Sequence, residues 1–477
     1  MSKKIMLPLL CASLLGLLAC GDEKSSHDSN PVTPPTSADN PYITSSAIDP
    51  SQLPASSGST PGNTTPTPTP MPSGNYAPLA PSASLAIPAA IYENWKAAHV
   101  TSLEADAARY PSLAGDFSDV FKQAFLPASR VVWSAQTSGG YKAQCSVSDA
   151  TESLMKARAC TVSEGIGYGM LLSFFAGDDA TFYSLWNYNR AFRDYNSSAL
   201  MPWIVESFTY NVVDGSSATD ADLDVATALI LMYYKSGLDP YLQDALTIVN
   251  AIWNEEVEQG TKLLLSGNTS MWNGKSGREI IYNLSYFSPV ALRLFAKVDP
   301  SHDWNGVLDA MYAYMAKVQA GGTGVFPDWS NAAGVAADAP NGSAKNTYYQ
   351  FNKESVRIPW RIAWDYYWFQ EPRAATVLNG LYGFISPKSG NDPTSLALGT
   401  SYSWNLSLGA DKTSNVVGAY WLGAWCSTGI SGNADWLNLC TAELNKKMPS
   451  NTTTSYFADI LLVMYSQLLN GAFVKSF

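Results

Sequence analysis

The sequence predicts an all-α fold, a toroid of helical hairpins, and three observations point to it. From residue 90 onward, segments with apolar residues at three-to-four spacing follow one another. No alternation of apolar and polar residues is sustained over several segments, so a sheet protein is not expected. Between the segments lie loops rich in Gly, Asn and Ser, such as Ser266-Gly267-Asn268 and Ala320-Gly321-Gly322-Thr323-Gly324. No repeat recurs at a fixed period, which disfavours a solenoid. The spacing predicts helices over 92–108, 115–125, 164–176, 181–195, 222–236, 241–257, 288–298, 303–319, 357–369, 373–385, 416–425, 435–446 and 454–469.

The chain before these helices reads as an address and a tether. Lys3 and Lys4 precede a short apolar run, Ile5 to Leu18, too short for a comfortable membrane span. It ends Leu17-Leu18-Ala19-Cys20-Gly21, which resembles a bacterial lipobox, with Cys20 as the lipidated residue. Gly21 follows the Cys in place of the aspartate of an inner-membrane retention signal. The expected location is therefore the cell envelope, at the outer membrane or cell surface. Residues 31–81 then hold 13 of the chain's 28 prolines, with much Thr and Ser. Such a segment buries too little apolar surface to fold, and proline keeps it extended. The expected organisation is a signal over 1–19, a tether over 20–84 and one folded domain over 85–477.

Composition narrows the function. Lys and Arg total 29 against 40 Asp and Glu, a net charge of −11, which argues against a nucleic-acid binder. Aromatic residues make up 12% and charged residues only 14%, a balance that suits a neutral stacking ligand such as a glycan. With three His in the whole chain and no C-x-x-C, a zinc site or a Ser-His-Asp centre is poorly supplied, and no metal or cofactor is expected. Beyond Cys11 and Cys20, four cysteines remain. Proximity favours Cys145–Cys160 and Cys426–Cys440 over the other pairings.

Three acidic segments carry the chemistry. Thr219-Asp220-Ala221-Asp222-Leu223-Asp224 runs into an apolar helix. Taken alone, it reads first as helix capping by Thr219 or Asp220. A calcium loop fails, because Val225 and Leu231 stand where Gly and Glu are needed. Ser163-Glu164-Gly165-Ile166-Gly167-Tyr168-Gly169-Met170 sets one acid before three glycines, a spacing that fits no phosphate-binding loop. It also fits a tight helix contact. Glu354-Ser355-Val356-Arg357-Ile358-Pro359-Trp360-Arg361 opens another helix, and Glu354 and Arg357 have the spacing of a one-turn ion pair.

Together and in this order, the three segments resemble glycoside hydrolase family 8. Asn283-Leu284-Ser285-Tyr286 and Pro327-Asp328-Trp329 resemble two further family segments. The resemblance implies an (α/α)6 barrel and inverting endo-hydrolysis of a β-1,4-linked polysaccharide, with two carboxyl groups roughly 6.5–9.5 Å apart. It implies Glu164 as general acid, Asp220 as the carboxylate holding the sugar at the cleavage subsite, and Tyr286 as a residue placing the water. The implied base is the residue three before the Arg, Glu354 here, where the family has Asp. The extra methylene pushes that carboxylate outward by about 1.5 Å or needs a backbone shift. Tyr168, Asp222, Trp203, Trp329 and Arg357 are expected to line the substrate site, with Trp186 as a further stacking candidate. The form of the Asp220 segment favours β-glucan or cellulose as substrate, with xylan and chitosan as alternatives. A glycan-binding surface lipoprotein that does not cut is the alternative of another class. A monomer is expected.

Overall fold

The computed structural model describes residues 85–105, 125–133, 160–206, 212–342, 344–450 and 455–475. The signal, the tether and Cys145 lie outside these, as does nearly all of the helix expected over 115–125.

The helices are α1 (Ala86–His99), α2 (Ser163–Ala176), α3 (Asp179–Tyr195), α4 (Thr219–Ser236), α5 (Asp239–Glu255), α6 (Pro289–Val298), α7 (Trp304–Ala320), α8 (Ile358–Phe369), α9 (Pro372–Ser389), α10 (Ala419–Ser427), α11 (Ala434–Leu444) and α12 (Tyr456–Leu469). Packing sorts them into two rings. Helices α2, α4, α6, α8, α10 and α12 each touch the next, and α12 closes back on α2. Outside them, α3, α5, α7, α9, α11 and α1 pack on α2, α4, α6, α8, α10 and α12 respectively. This alternation is an (α/α)6 barrel, and the all-α expectation holds.

The sequence dictates which ring a helix joins. Helix α2 is apolar or small around its whole circumference and is buried at Ser163 and from Gly165 to Phe174, as an inner helix must be. Helix α5 buries only one stripe, Tyr241, Ala245, Ile248, Val249, Ala251 and Ile252, and shows its other face to solvent. Short turns connect the rings: α2 ends at Gly177 in the left-handed region, φ +74°, where Gly carries no Cβ penalty. The next residue, Asp178, then caps α3 by accepting from the Thr181 N–H at 3.1 Å.

Helix α1 departs from expectation. It spans 86–99 rather than 92–108, because the chain turns extended at Val100-Thr101-Ser102, which pairs antiparallel with Ser129–Val131. The β-branched pair favours that strand. Other strands are two or three residues long and serve as clamps at loop bases, among them Thr161–Val162 with Ile204–Val205. Cys426 and Cys440 are bonded to each other as expected. Cys160 is also disulfide-bonded, its partner being outside the described residues.

Candidate active site

All six inner helices run the same way, so their N-terminal ends gather at one end of the barrel. Glu164 opens α2, Asp220 opens α4, Tyr286 lies just before α6, Glu354 and Arg357 just before α8, and Tyr456 opens α12. Five separate stretches of sequence thereby meet.

Arg357 is the hub. Its Nη1 donates to Asp220 Oδ2 at 2.9 Å and to Glu164 Oε2, and its Nη2 donates to Glu354 Oε2. The guanidinium also sits 5.5 Å from the Tyr286 ring centre. Two carboxylates on the two Nη atoms of one guanidinium have their nearer oxygens within roughly 8 Å of each other. The ion pair expected between Glu354 and Arg357 exists, but Arg357 is only 3% exposed, so it is no solvated surface pair. Glu164 also accepts from the Tyr456 hydroxyl at 2.7 Å.

The carboxylates differ in exposure: 28% for the side chain of Glu354, 14% for Glu164 and 2% for Asp220. Burial raises Glu164 above the usual carboxylate range, although Arg357 and the Tyr456 hydroxyl pull it down. Burial lifts Asp220 to about 7 against the pull of Arg357. For both, desolvation outweighs the adjacent cation.

Local structure explains the acidic segments. The glycines beside Glu164 serve close approach. A Cβ at Gly167 would stand 3.0 Å from the Ala221 carbonyl of α4, and one at Gly165 would stand 3.2 Å from the Tyr456 hydroxyl. So the tight-contact reading of that segment is correct, and it is what brings Glu164 to Asp220 and Tyr456. The capping reading of Asp220 is not: Ala218 is the N-cap of α4 and no side chain caps it. Asp220 instead turns to Arg357. Asp224 forms a two-pronged pair with Arg361 at 2.7 and 2.8 Å, both fully buried. It is a strut between α4 and α8.

The longer acid at position 354 is accommodated. Its backbone N–H donates to Asp328 Oδ1 at 3.1 Å. The same oxygen takes the N–H groups of Asn352 and Ser355, both at 3.0 Å, and the Ser355 hydroxyl at 2.8 Å. Asp328 thus organises the loop that presents Glu354. The Glu354 carboxylate folds back to Arg357 and accepts from Asn283 Nδ2 at 2.6 Å.

Several expected substrate contacts need correction. Tyr168 is fully buried, edge-on to Trp360 at 5.9 Å, and lies beneath the site rather than in it. Asp222 is 2% exposed and faces Glu256. Trp186 is a core residue, 1% exposed, donating to Asp244 at 2.6 Å. Trp329 is 6% exposed and stacked under Trp272 at 5.5 Å, so the half-buried Trp272 holds the outer place. Trp203 is half-buried against Trp133 at 6.5 Å, and its carbonyl takes the Ser163 N–H at the start of α2.

Carboxylates gathered at one end of an (α/α)6 barrel, two raised by burial and one more open, suit a glycosidase-type centre. The comparisons agree. Residues 142–402 match the model of glycosyl hydrolases family 8. The chain belongs to that family. Endoglucanase C of Ruminiclostridium cellulolyticum is 35% identical over 231 residues, 47% of this chain and 47% of that protein. Endoglucanase A of Acetivibrio thermocellus is 36% identical over 235 residues, 47% of this chain and 46% of that protein. The match thus spans about half the length of these relatives. The beta-glucanase of Niallia circulans is 30% identical over 328 residues, 65% of this chain and 76% of that protein. The fold is shared with a beta-1,3-1,4-glucanase of Paenibacillus sp. X4, with a TM-score of 0.61, 21% identity and coverage of 81% of this chain and 91% of that one.

Proposed function

We propose that the protein is an inverting endo-β-1,4-glucanase. Glu164 protonates the leaving oxygen, and Glu354 takes a proton from the attacking water. Asp220 holds the sugar at the cleavage subsite, and Tyr286 helps place the water. The observation that carries this reading is the convergence of Glu164, Asp220 and Glu354 on Arg357. It brings an acid raised by burial close to a more open carboxylate, the two-carboxyl arrangement that such hydrolysis needs. Glucan is preferred over xylan because relatives at 30–36% identity are named endoglucanase or beta-glucanase.

Lipidation at Cys20 would fix the protein to the bacterial envelope, at the outer membrane or cell surface. The proline-rich tether, at ~3.1 Å per residue, would let a monomeric domain work ~150 Å out on a large polymer.

Reducing-end release from mixed-linkage β-glucan, carboxymethyl cellulose, xylan and chitosan tests the reading, with Glu164→Gln and Glu354→Gln alongside. Cutting of the glucans and inactivity of both variants are expected. Retention of near-normal activity by Glu354→Gln would place the base elsewhere. Binding without cutting would favour the glycan-binding lipoprotein.

A further inference from the structure

Behind Asp220 lies a second acidic pair that the proposed chemistry does not use. Glu256 follows α5 and is fully buried; Asp222, in the first turn of α4, is 2% exposed. Their carboxyl groups face each other within hydrogen-bonding reach. Asp222 Oδ2 and Glu256 Oε2 are unpaired, as is the Thr219 hydroxyl that faces the Glu256 carboxyl. A donor is needed there, since an unpaired buried carboxylate oxygen is costly. A proton on one of the two carboxyls supplies it.

Among the described residues, no cation neutralises the pair. The charged groups around it are Glu255 at the end of α5, Asp220 on α4 and Arg193 on α3. The Arg193 guanidinium is engaged by Asp244 at 2.5 Å and Asn189 at 2.7 Å. The remaining neighbours are neutral. The Ser217 hydroxyl donates to Glu256 Oε1 at 2.5 Å, the Thr219 hydroxyl faces the same carboxyl, and the Met201 N–H donates to Asp222. Ser217 is itself locked to Asn268, through its N–H at 3.0 Å and its hydroxyl at 3.2 Å.

Glu256 therefore braces the chain on both sides of Asp220: at Ser217, three residues before, and at Asp222, two residues after. The N-cap residue of α4, Ala218, provides no side-chain cap, so the helix entry depends on tertiary contacts, of which this brace is one.

We propose that Asp222 and Glu256 share one proton, and that this proton holds the entry of α4 and with it Asp220, making Glu256 a positioning residue for the centre. Burial raises both acids, Glu256 to about 8 and Asp222 in the same direction with Glu256 adding to it. Two carboxylates in contact in a dry site do not both ionise easily. Once the shared proton leaves, repulsion opens the brace and Asp220 moves with the helix entry.

The test is Glu256→Gln in the full-length protein. Its amide mimics the protonated acid: the oxygen still accepts from Ser217 and the NH2 donates to Asp222. Melting temperature is followed between about pH 5 and about pH 8, where the folded protein holds this proton and the unfolded chain does not. The wild type should lose stability as pH rises, and Glu256→Gln should flatten that loss. In parallel, the fall of kcat/KM on β-glucan at alkaline pH should be steeper by one proton in the wild type than in Glu256→Gln, the pair supplying that proton. Asp222→Asn removes the same proton from the other side and serves if the first variant does not fold. An unchanged melting curve in the variants overturns the shared proton. A flattened melting curve with an unchanged slope of kcat/KM overturns the positioning role. The activity arm rests on the role proposed for Asp220; the melting arm does not, so the two readings fail separately.

Discussion

Tyr456→Phe removes one oxygen and nothing else from the candidate centre. The hydroxyl donates to Glu164 Oε1 at 2.7 Å, and Tyr456 is 3% exposed, so water does not replace it readily. The bond favours the ionised form of Glu164, and it pulls that group down against burial. A hydrogen bond to a charged group contributes about 1.5–3 kcal/mol. Its loss should raise Glu164 further. The ring keeps its packing, since only the oxygen is deleted. The assay is the pH dependence of kcat/KM on mixed-linkage β-glucan. The alkaline limb of the profile should move to higher pH. An alkaline limb that stays put or moves down would show that the hydroxyl does not stabilise ionised Glu164. The reasoning about the acid would then be wrong.

Shortening the base is the companion test: Glu354→Asp should withdraw the carboxylate from Asn283 and Arg357, with a loss of kcat of up to ~100-fold for about 1 Å of misplacement. Asp224→Asn leaves Arg361 buried without its carboxylate and should cost ~3–5 kcal/mol in urea unfolding. Cys426→Ser opens a disulfide of sequence separation 14 and should cost ~3 kcal/mol by the same measurement under non-reducing conditions. Asp220, Glu256 and Asp328 are raised to about 7, 8 and 8, in each case chiefly by burial. Their folded pKa values exceed the unfolded ones, so the stability they confer is complete below about pH 4 and is lost as pH rises through the folded values. Melting temperature should therefore decline from mildly acidic to mildly alkaline pH, and a rise over that window would contradict the assignment.

The parts of the fold read from the sequence are those where one residue type repeats along a helix. Apolar spacing located most helices to within a few residues. It overran α1, because it carries no information about a strand partner thirty residues away at Ser129–Val131. The acids at 164, 220 and 354 were legible because each sits in an unusual local setting: three glycines, alternating carboxylates, a Pro-Trp-Arg helix start. Tyr456 was not, since a lone tyrosine at a helix start looks like any other among 26. Glu256 was hidden for a similar reason: Glu255-Glu256 at a helix end reads as a solvated pair, and only tertiary packing buries the second of them. Tyr168, Trp186 and Trp329 were misplaced because aromatic residues suit a core as well as a sugar face.

The charge count at the centre explains why its inner carboxyls are displaced upward. Three carboxylates contact one guanidinium, and all but Glu354 are nearly closed off from water. Fully ionised, the cluster would carry two uncompensated negative charges in a poorly solvated place, which burial does not tolerate. The simplest relief is to keep a proton, so Glu164 and Asp220 are both displaced upward although each touches Arg357. Glu354 sits at the open edge, where solvent bears part of its charge. Where the barrel end meets water thus sorts the three: the inner carboxyls are the ones burial displaces upward, and Glu354 is the one open to solvent.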